Sequence, residues 1–493
     1  MKRLGALALL VLLVADAEAR VGGGGGFSTG SNSSSSSGGG SGGGGGDGGE
    51  LLVALLRLCI MYPEIGVPVA VLVVGFVIWE QRNRQIAVPA SYSPVRQRVA
   101  GRGQGLKTAW QTLASKDPAL SRPVLDDLLQ VVHRRAWEAA SQRDFSALAP
   151  YVSPTAAAAL QAKVPAGAAV DEIVTASVAV RGLELSRAQA TLSVQFASSR
   201  RVKTGTDVRH RYVEERWTFV RAATATSPSP EAVQRLGCPS CGAAAQCDPM
   251  GRCVHCGTPV TGGQHGWLAT QVEITVDRAI QPPTTSAWSP EEPSFRAATV
   301  VDPDLSAALR AFQGRHPKFV GKDFEARVRH VFVSLQQAWG AGRWQDARPF
   351  TTDMAWNTLR FWIDQYAAAG LVNRVTDPKL ERMQVVRVTV DGWYESITVR
   401  LWATVRDWVE DTRSQKIISG KRDVDHKFSE YWTFVRAIGT GDASGDPSRC
   451  PSCGAPLDKI NAAGVCGYCD SVVTTGKFDW VLSRIDQAEV YEG

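Results

Sequence analysis

The sequence has no G-x-x-x-x-G-K-[ST] loop and no H-E-x-x-H segment, so neither a phosphate cradle nor a metalloprotease centre is written in it. Histidine is scarce. Of seven, His133, His210, His316, His330 and His426 stand singly, which leaves no cluster for acid–base chemistry. Asp126 and Asp127 are adjacent on a helical stretch, and neighbours on a helix point in different directions. A G-x-S-x-G pattern does occur at Gly39, Ser41 and Gly43, but the nucleophile elbow needs a strand before it and a helix after it, and neither is present. Strong charge is missing too: the formal net charge is +6 over 493 residues, which gives no sign of a nucleic-acid binder. These absences argue against an enzyme. The length suits about two to four domains.

Much of the excess among 47 glycines lies before residue 50. Residues 1–19 combine Lys2 and Arg3 with an apolar run and small residues at Ala15, Ala17 and Ala19, the layout of a signal peptide or of an uncleaved short anchor. Residues 20–50 are almost wholly Gly and Ser, a tail without the apolar surface needed to fold. Residues 51–80 are the second apolar stretch, interrupted by Arg57, Pro63 and Glu64. Its unbroken part, Ile65 to Trp79, reaches only about 22 Å as a helix, against a hydrocarbon core of about 30 Å. A transmembrane segment therefore starts before Pro63, with a buried core helix as the competing reading. Residues 81–122 form a basic linker, where Arg82, Arg84, Arg96, Arg98 and Arg102 face only Glu80 and Asp117. By the positive-inside rule everything after Trp79 is cytoplasmic, and these arginines are candidates for anionic lipid.

The rest of the chain repeats itself. Glu214–Ala222 (EERWTFVRA) returns as Ser429–Ala437 (SEYWTFVRA), and the CPSCG at Cys238 returns at Cys450. Phe145, Pro150 and Tyr151 align with Trp344, Pro349 and Phe350, and the growing offset puts an insertion in the second copy near Phe361–Pro378. Each copy opens with helical periodicity (Leu125, Leu128, Val132, Ala136; Phe324, Val328, Val331, Leu335) and continues with alternating strands. Helices followed by an antiparallel sheet make an α+β fold, with domains at 123–277 and 321–490 and a Pro-rich linker at 278–320.

Four-cysteine sets sit late in both copies. Cys238, Cys241, Cys253 and Cys256 form one, with eleven residues between the two C-x-x-C pairs; Cys450, Cys453, Cys466 and Cys469 form the other, with twelve. Two such knuckles complete a tetrahedron of thiolates, so the spacing predicts zinc ribbons at 237–260 and 449–472, each holding one structural zinc with no open ligand position. Disulfides are the competing reading, but they suit an oxidising compartment. Cys247 and His255 read as bystanders. The ribbons are recognition knobs for protein or nucleic acid, or loops that need a metal staple to order.

The copies differ most in tryptophan, nine in the second against three in the first. Alternation puts Ile397, Val399, Leu401, Ala403 and Val405 on one face of a second-copy strand, and Arg400, Trp402, Arg406 and Trp408 on the other. Such a Trp–Arg face can grip extended polypeptide or an anionic partner, unless the rings pack under the extra helix near Phe361–Tyr366.

The W-T-F-V-R strand endings at Trp217–Arg221 and Trp432–Arg436, the helices before them and the membrane segment behind a Gly/Ser tail together resemble the Tim44-like domain family. That resemblance implies cone-shaped, nuclear-transport-factor-two-like domains with helices on a bent sheet, and a membrane-tethered scaffold at the cytoplasmic face of a bacterial inner membrane. The implied partners are polypeptide or lipid. A membrane-anchored nucleic-acid or ribosome contact is the alternative, although the domains are not basic enough to favour nucleic acid.

Overall fold

The computed structural model describes residues 95–280, 288–441, 446, 448–488 and 491, with side chains from residue 105 onward. Two four-stranded antiparallel sheets organise it, and helices precede each one. In the first domain α1 (Val95–Lys116), α2 (Arg122–Gln142) and α3 (Pro154–Gln161) lead into β1 (Ala168–Leu185), β2 (Gln189–Thr204), β3 (Asp207–Ala222) and, after the short α4 (Pro230–Arg235), β4 (Leu268–Ala279). Helix α2 starts where the Ser121 side chain accepts from the Val124 amide, and it stops at Arg143, which takes a left-handed conformation. Its stripe of Leu125, Leu129, Val132 and Ala136 packs with Ala190, Leu192, Val194 and Phe196 of β2, all buried in one core.

The second domain repeats the order. A short α5 (Pro293–Arg296) and α6 (Leu305–Arg315) come first, then α7 (Gly321–Gly340), α8 (Asp353–Ala368), β5 (Leu371–Val390), β6 (Tyr394–Asp411), β7 (Ile417–Ala437) and β8 (Val481–Gln487). The repeat extends to single bonds. A parallel bridge joins Val152 to Ala269 in one domain and Thr351 to Leu482 in the other. In each, a fully buried glutamate accepts from the tryptophan two residues on: Trp217 Nε1 to Glu215 at 2.7 Å, and Trp432 Nε1 to Glu430 at 2.9 Å.

The domains pack together. Helix α8 has 16 residues where α3 has 8, which accounts for part of the insertion expected near Phe361–Pro378; the longer β6–β7 hairpin supplies the rest. Its added turns carry Phe361 into a buried cluster with Val174, Ala176 and Tyr212 of the first domain. Trp393 Nε1 donates to Ala119 O at 3.0 Å, and Asn357 donates to Gln130 at 3.1 Å. The stretch at 278–320 is thus no plain spacer, and α6 lies within it. Likewise α1 occupies part of the expected basic linker.

Among the described residues no helix is long and apolar enough to cross a membrane. The expected signal peptide, glycine tail and transmembrane segment all lie outside the described residues.

Candidate metal centres and the covered face of the second sheet

Both cysteine sets come together between the last two strands of a domain. Within each set the four sulfurs lie within 4.8 Å of one another. The measured edges are 4.0 Å for Cys238–Cys256, 3.9 Å for Cys241–Cys253 and 3.9 Å for Cys450–Cys469. Tetrahedral thiolate ligation at a metal–sulfur distance of about 2.3 Å has edges of about 3.8 Å, so both cages fit one such ion. A disulfide needs about 2.05 Å, and the nine described cysteines are all free.

The knuckles follow from backbone conformation. Gly242, Gly257 and Gly454 have φ of 74°, 71° and 74°, and each amide closes back on the carbonyl of Cys238, Cys253 or Cys450 at 2.8 Å. Asp470 takes that place in the fourth knuckle, with φ 57°. Hydrogen bonds from Thr258 hold the Cys256 thiol down to about 6, and bonds from Ser471 do the same for Cys469. Burial instead pushes Cys238 up to about 12. Thiolate is the form in which cysteine ligates a metal. Cys247 and His255 stand outside both sets.

The Trp–Arg face of β6 is covered at Arg400 and Trp402 and half-open at Arg406 and Trp408. Arg400 is 0% exposed and Trp402 is 2% exposed, because residues 288–300 cross the sheet as a strap. Glu291 bridges Lys427 in parallel. The Ser429 hydroxyl donates to Ser294 O at 2.6 Å, Arg400 donates to Ser294 O and to Thr299 Oγ1 at 2.8 Å each, and Trp402 Nε1 donates to Phe295 O at 3.1 Å. His426 sits between Ser289 O at 2.7 Å and Glu292 Oε1 at 2.9 Å. The Trp402 ring therefore packs under the strap. Arg406 and Trp408 lie farther along, half-buried but occupied: Arg406 pairs with Asp377 at 3.1 Å and Asp425 at 3.4 Å, and Trp408 Nε1 donates to Glu410 at 2.9 Å. Of the expected lipid-facing arginines, Arg82 and Arg84 lie outside the described residues, and Arg96, Arg98 and Arg102 fall on α1, where backbone alone is described.

A helix pair, a hairpin-rich sheet and a repeated W-T-F-V-R strand define the second domain, and there a known family matches. The Tim44-like domain family matches residues 305–444. The Tim44-like region runs from α6 through β7; it takes in α8 and stops before Cys450, so the second cysteine cage lies beyond it. The first domain shares its order of elements. No curated protein matches the chain.

Three features escaped the sequence reading: the strap, the interdomain role of α8 and the buried Glu215 network. Only the strap left a signal, since a strand with both faces rich in large side chains has two faces to cover.

Proposed function

We propose that this chain is a membrane-associated scaffold, without catalytic activity, whose paired domains hold polypeptide partners beside the membrane. The observation that carries the reading is the Tim44-like match over residues 305–444. Support comes from the packing of the two domains on each other through Phe361 and Tyr212. On this reading residues 51–80 span a bacterial inner membrane, the domains are cytoplasmic and cone-shaped, and the arginine-rich flank meets anionic lipid. Each four-cysteine cage holds one zinc ion. Cys238, Cys241, Cys253 and Cys256 hold the first, Cys450, Cys453, Cys466 and Cys469 the second, and a closed thiolate set gives it a structural role. Crosslinking in intact membranes followed by capture of the full-length chain tests the proposal. Recovered polypeptides with no nucleic acid support it; recovered RNA or DNA would favour a nucleic-acid contact instead.

A further inference from the structure

The two domains differ at one buried place beside the metal knuckle. In the second domain Arg327 and Asp479 form a buried ion pair at 3.4 Å. The guanidinium lies 5.4 Å from the centre of the Phe350 ring, and its Nε donates to Trp480 O at 3.1 Å. The aligned positions in the first domain are Leu128, Gly266, Tyr151 and Trp267. Arginine and aspartate have given way to leucine and glycine, and no ion pair fills the space. All four residues line a cavity of about 220 Å³.

The lining also carries polar groups, among them Thr226, Ser227 and Ser229. The wall continues through Pro228 and the knuckle residues Cys238 and Pro239, while Arg235 and His265 line it as well. No carboxylate lines it, and the Cys238 sulfur in its wall belongs to the cysteine cage. Tyr151 is fixed by its hydroxyl, which donates to Gly237 O at 2.6 Å. The Trp267 indole nitrogen is buried with no hydrogen-bond partner, an arrangement that ordinarily costs stability unless a guest or water relieves it. Apolar lining combined with basic lining groups suits an amphiphilic guest.

We propose that this cavity binds a bulky apolar group carrying a carboxylate, with the apolar part against Leu128, Tyr151 and Trp267 and the charge toward Arg235 and His265. Either a free carboxylic acid or an acidic, aromatic polypeptide segment has this chemistry. Titration calorimetry and saturation-transfer NMR on the full-length chain test it with three probes: 3-phenylpropionate, its uncharged amide, and the peptide acetyl-Glu-Phe-amide. Saturable binding of 3-phenylpropionate, about tenfold tighter than the amide, is the expected result for a free acid; binding of the peptide alone assigns the guest to polypeptide. The double variant L128R/G266D installs the second domain's ion pair. A Cβ on Gly266 meets only Pro239 Cβ at 3.5 Å, so the aspartate has room, and binding should be lost. The surface variant Arg235→Ala, which leaves the walls intact, should weaken the acid and leave the amide unchanged. Binding of none of the probes, or binding that survives L128R/G266D, overturns the proposal.

Discussion

Trp402 Nε1 donates to the carbonyl oxygen of Phe295 at 3.1 Å, so a residue of the interdomain stretch roofs the most deeply buried tryptophan of the β6 outer face. That bond turns a surface ring into a core ring. Strap and sheet also share Arg400, Ser429 and His426, all buried, so the strap cannot lift without exposing paired polar groups.

Trp402→Ala should therefore lower stability by about 3–5 kcal/mol, the range for large aromatic truncations in a core. Trp408→Ala should cost clearly less, because that ring is only half-buried. Thermal unfolding of both variants decides the matter. An unchanged melting temperature for Trp402→Ala would return the face to solvent.

A second prediction concerns acid. Burial raises the Glu215 carboxyl, but His133, Arg200 and Trp217 together outweigh it and hold the group below its ordinary value. His133 Nε2 lies 3.1 Å from it, and Trp137 Nε1 donates to it at 2.9 Å. A carboxyl depressed by folding contributes stability that is whole above its unfolded value of about 4.3. The contribution is lost as pH falls through the lower folded value. Glu215→Gln should cost about 3–5 kcal/mol at neutral pH, since it leaves buried Arg200 beside a neutral amide with only the partly exposed Asp277 at 3.6 Å as counter-charge. The gap between wild type and variant should then narrow as the pH falls from about 4.3 through the lower folded value. Chemical denaturation across the acid range would show a constant gap if the network were idle.

The metal prediction is stoichiometric. The full-length chain should carry two zinc ions, and Cys241→Ser or Cys453→Ser should each remove one. The ribbons insert between strands whose pairing is made by β3–β4 and β7–β8, so loss of an ion should loosen the tip while most of the sheet survives. Metal analysis together with hydrogen exchange reads both effects. Collapse of a whole domain on chelation would show that the metal nucleates the fold.

Particular residues show what sequence could and could not disclose. Cysteine spacing located both cages, because a knuckle is local and its glycines announce the turn. The helix stripe at Leu125 to Ala136 and the alternation at Ala190 to Phe196 located core faces, since periodicity reports burial directly. Alternation failed at Trp402, because a period of two separates faces without saying what covers the second one. Pro290 and Pro293 made residues 278–320 look like a spacer, yet proline suits a strap as well, being fixed in φ and free of a donor that would need a partner. Apart from Trp217, the partners of Glu215 come from α2 and β2, and contacts so distant in sequence have no local signature.

Interdomain packing supplies the last prediction. Phe361 is 1% exposed and its ring centre lies 6.2 Å from that of Tyr212. It belongs to the turns that α8 has and α3 lacks. The polar contacts across the same boundary are more exposed, as in Lys477 with Glu231 at 2.6 Å, whose side chains are 52% and 48% exposed. A solvated pair of that kind contributes about 0–1 kcal/mol, whereas truncating a buried phenylalanine costs about 3–5 kcal/mol. Apolar burial should thus hold the domains together and charge should not. Phe361→Ala should speed proteolysis between the domains and split a single thermal transition into two, while Lys477→Ala should leave both measurements near wild type. The reverse ranking would mean that the domains are joined chiefly by charge, and high salt would then separate them.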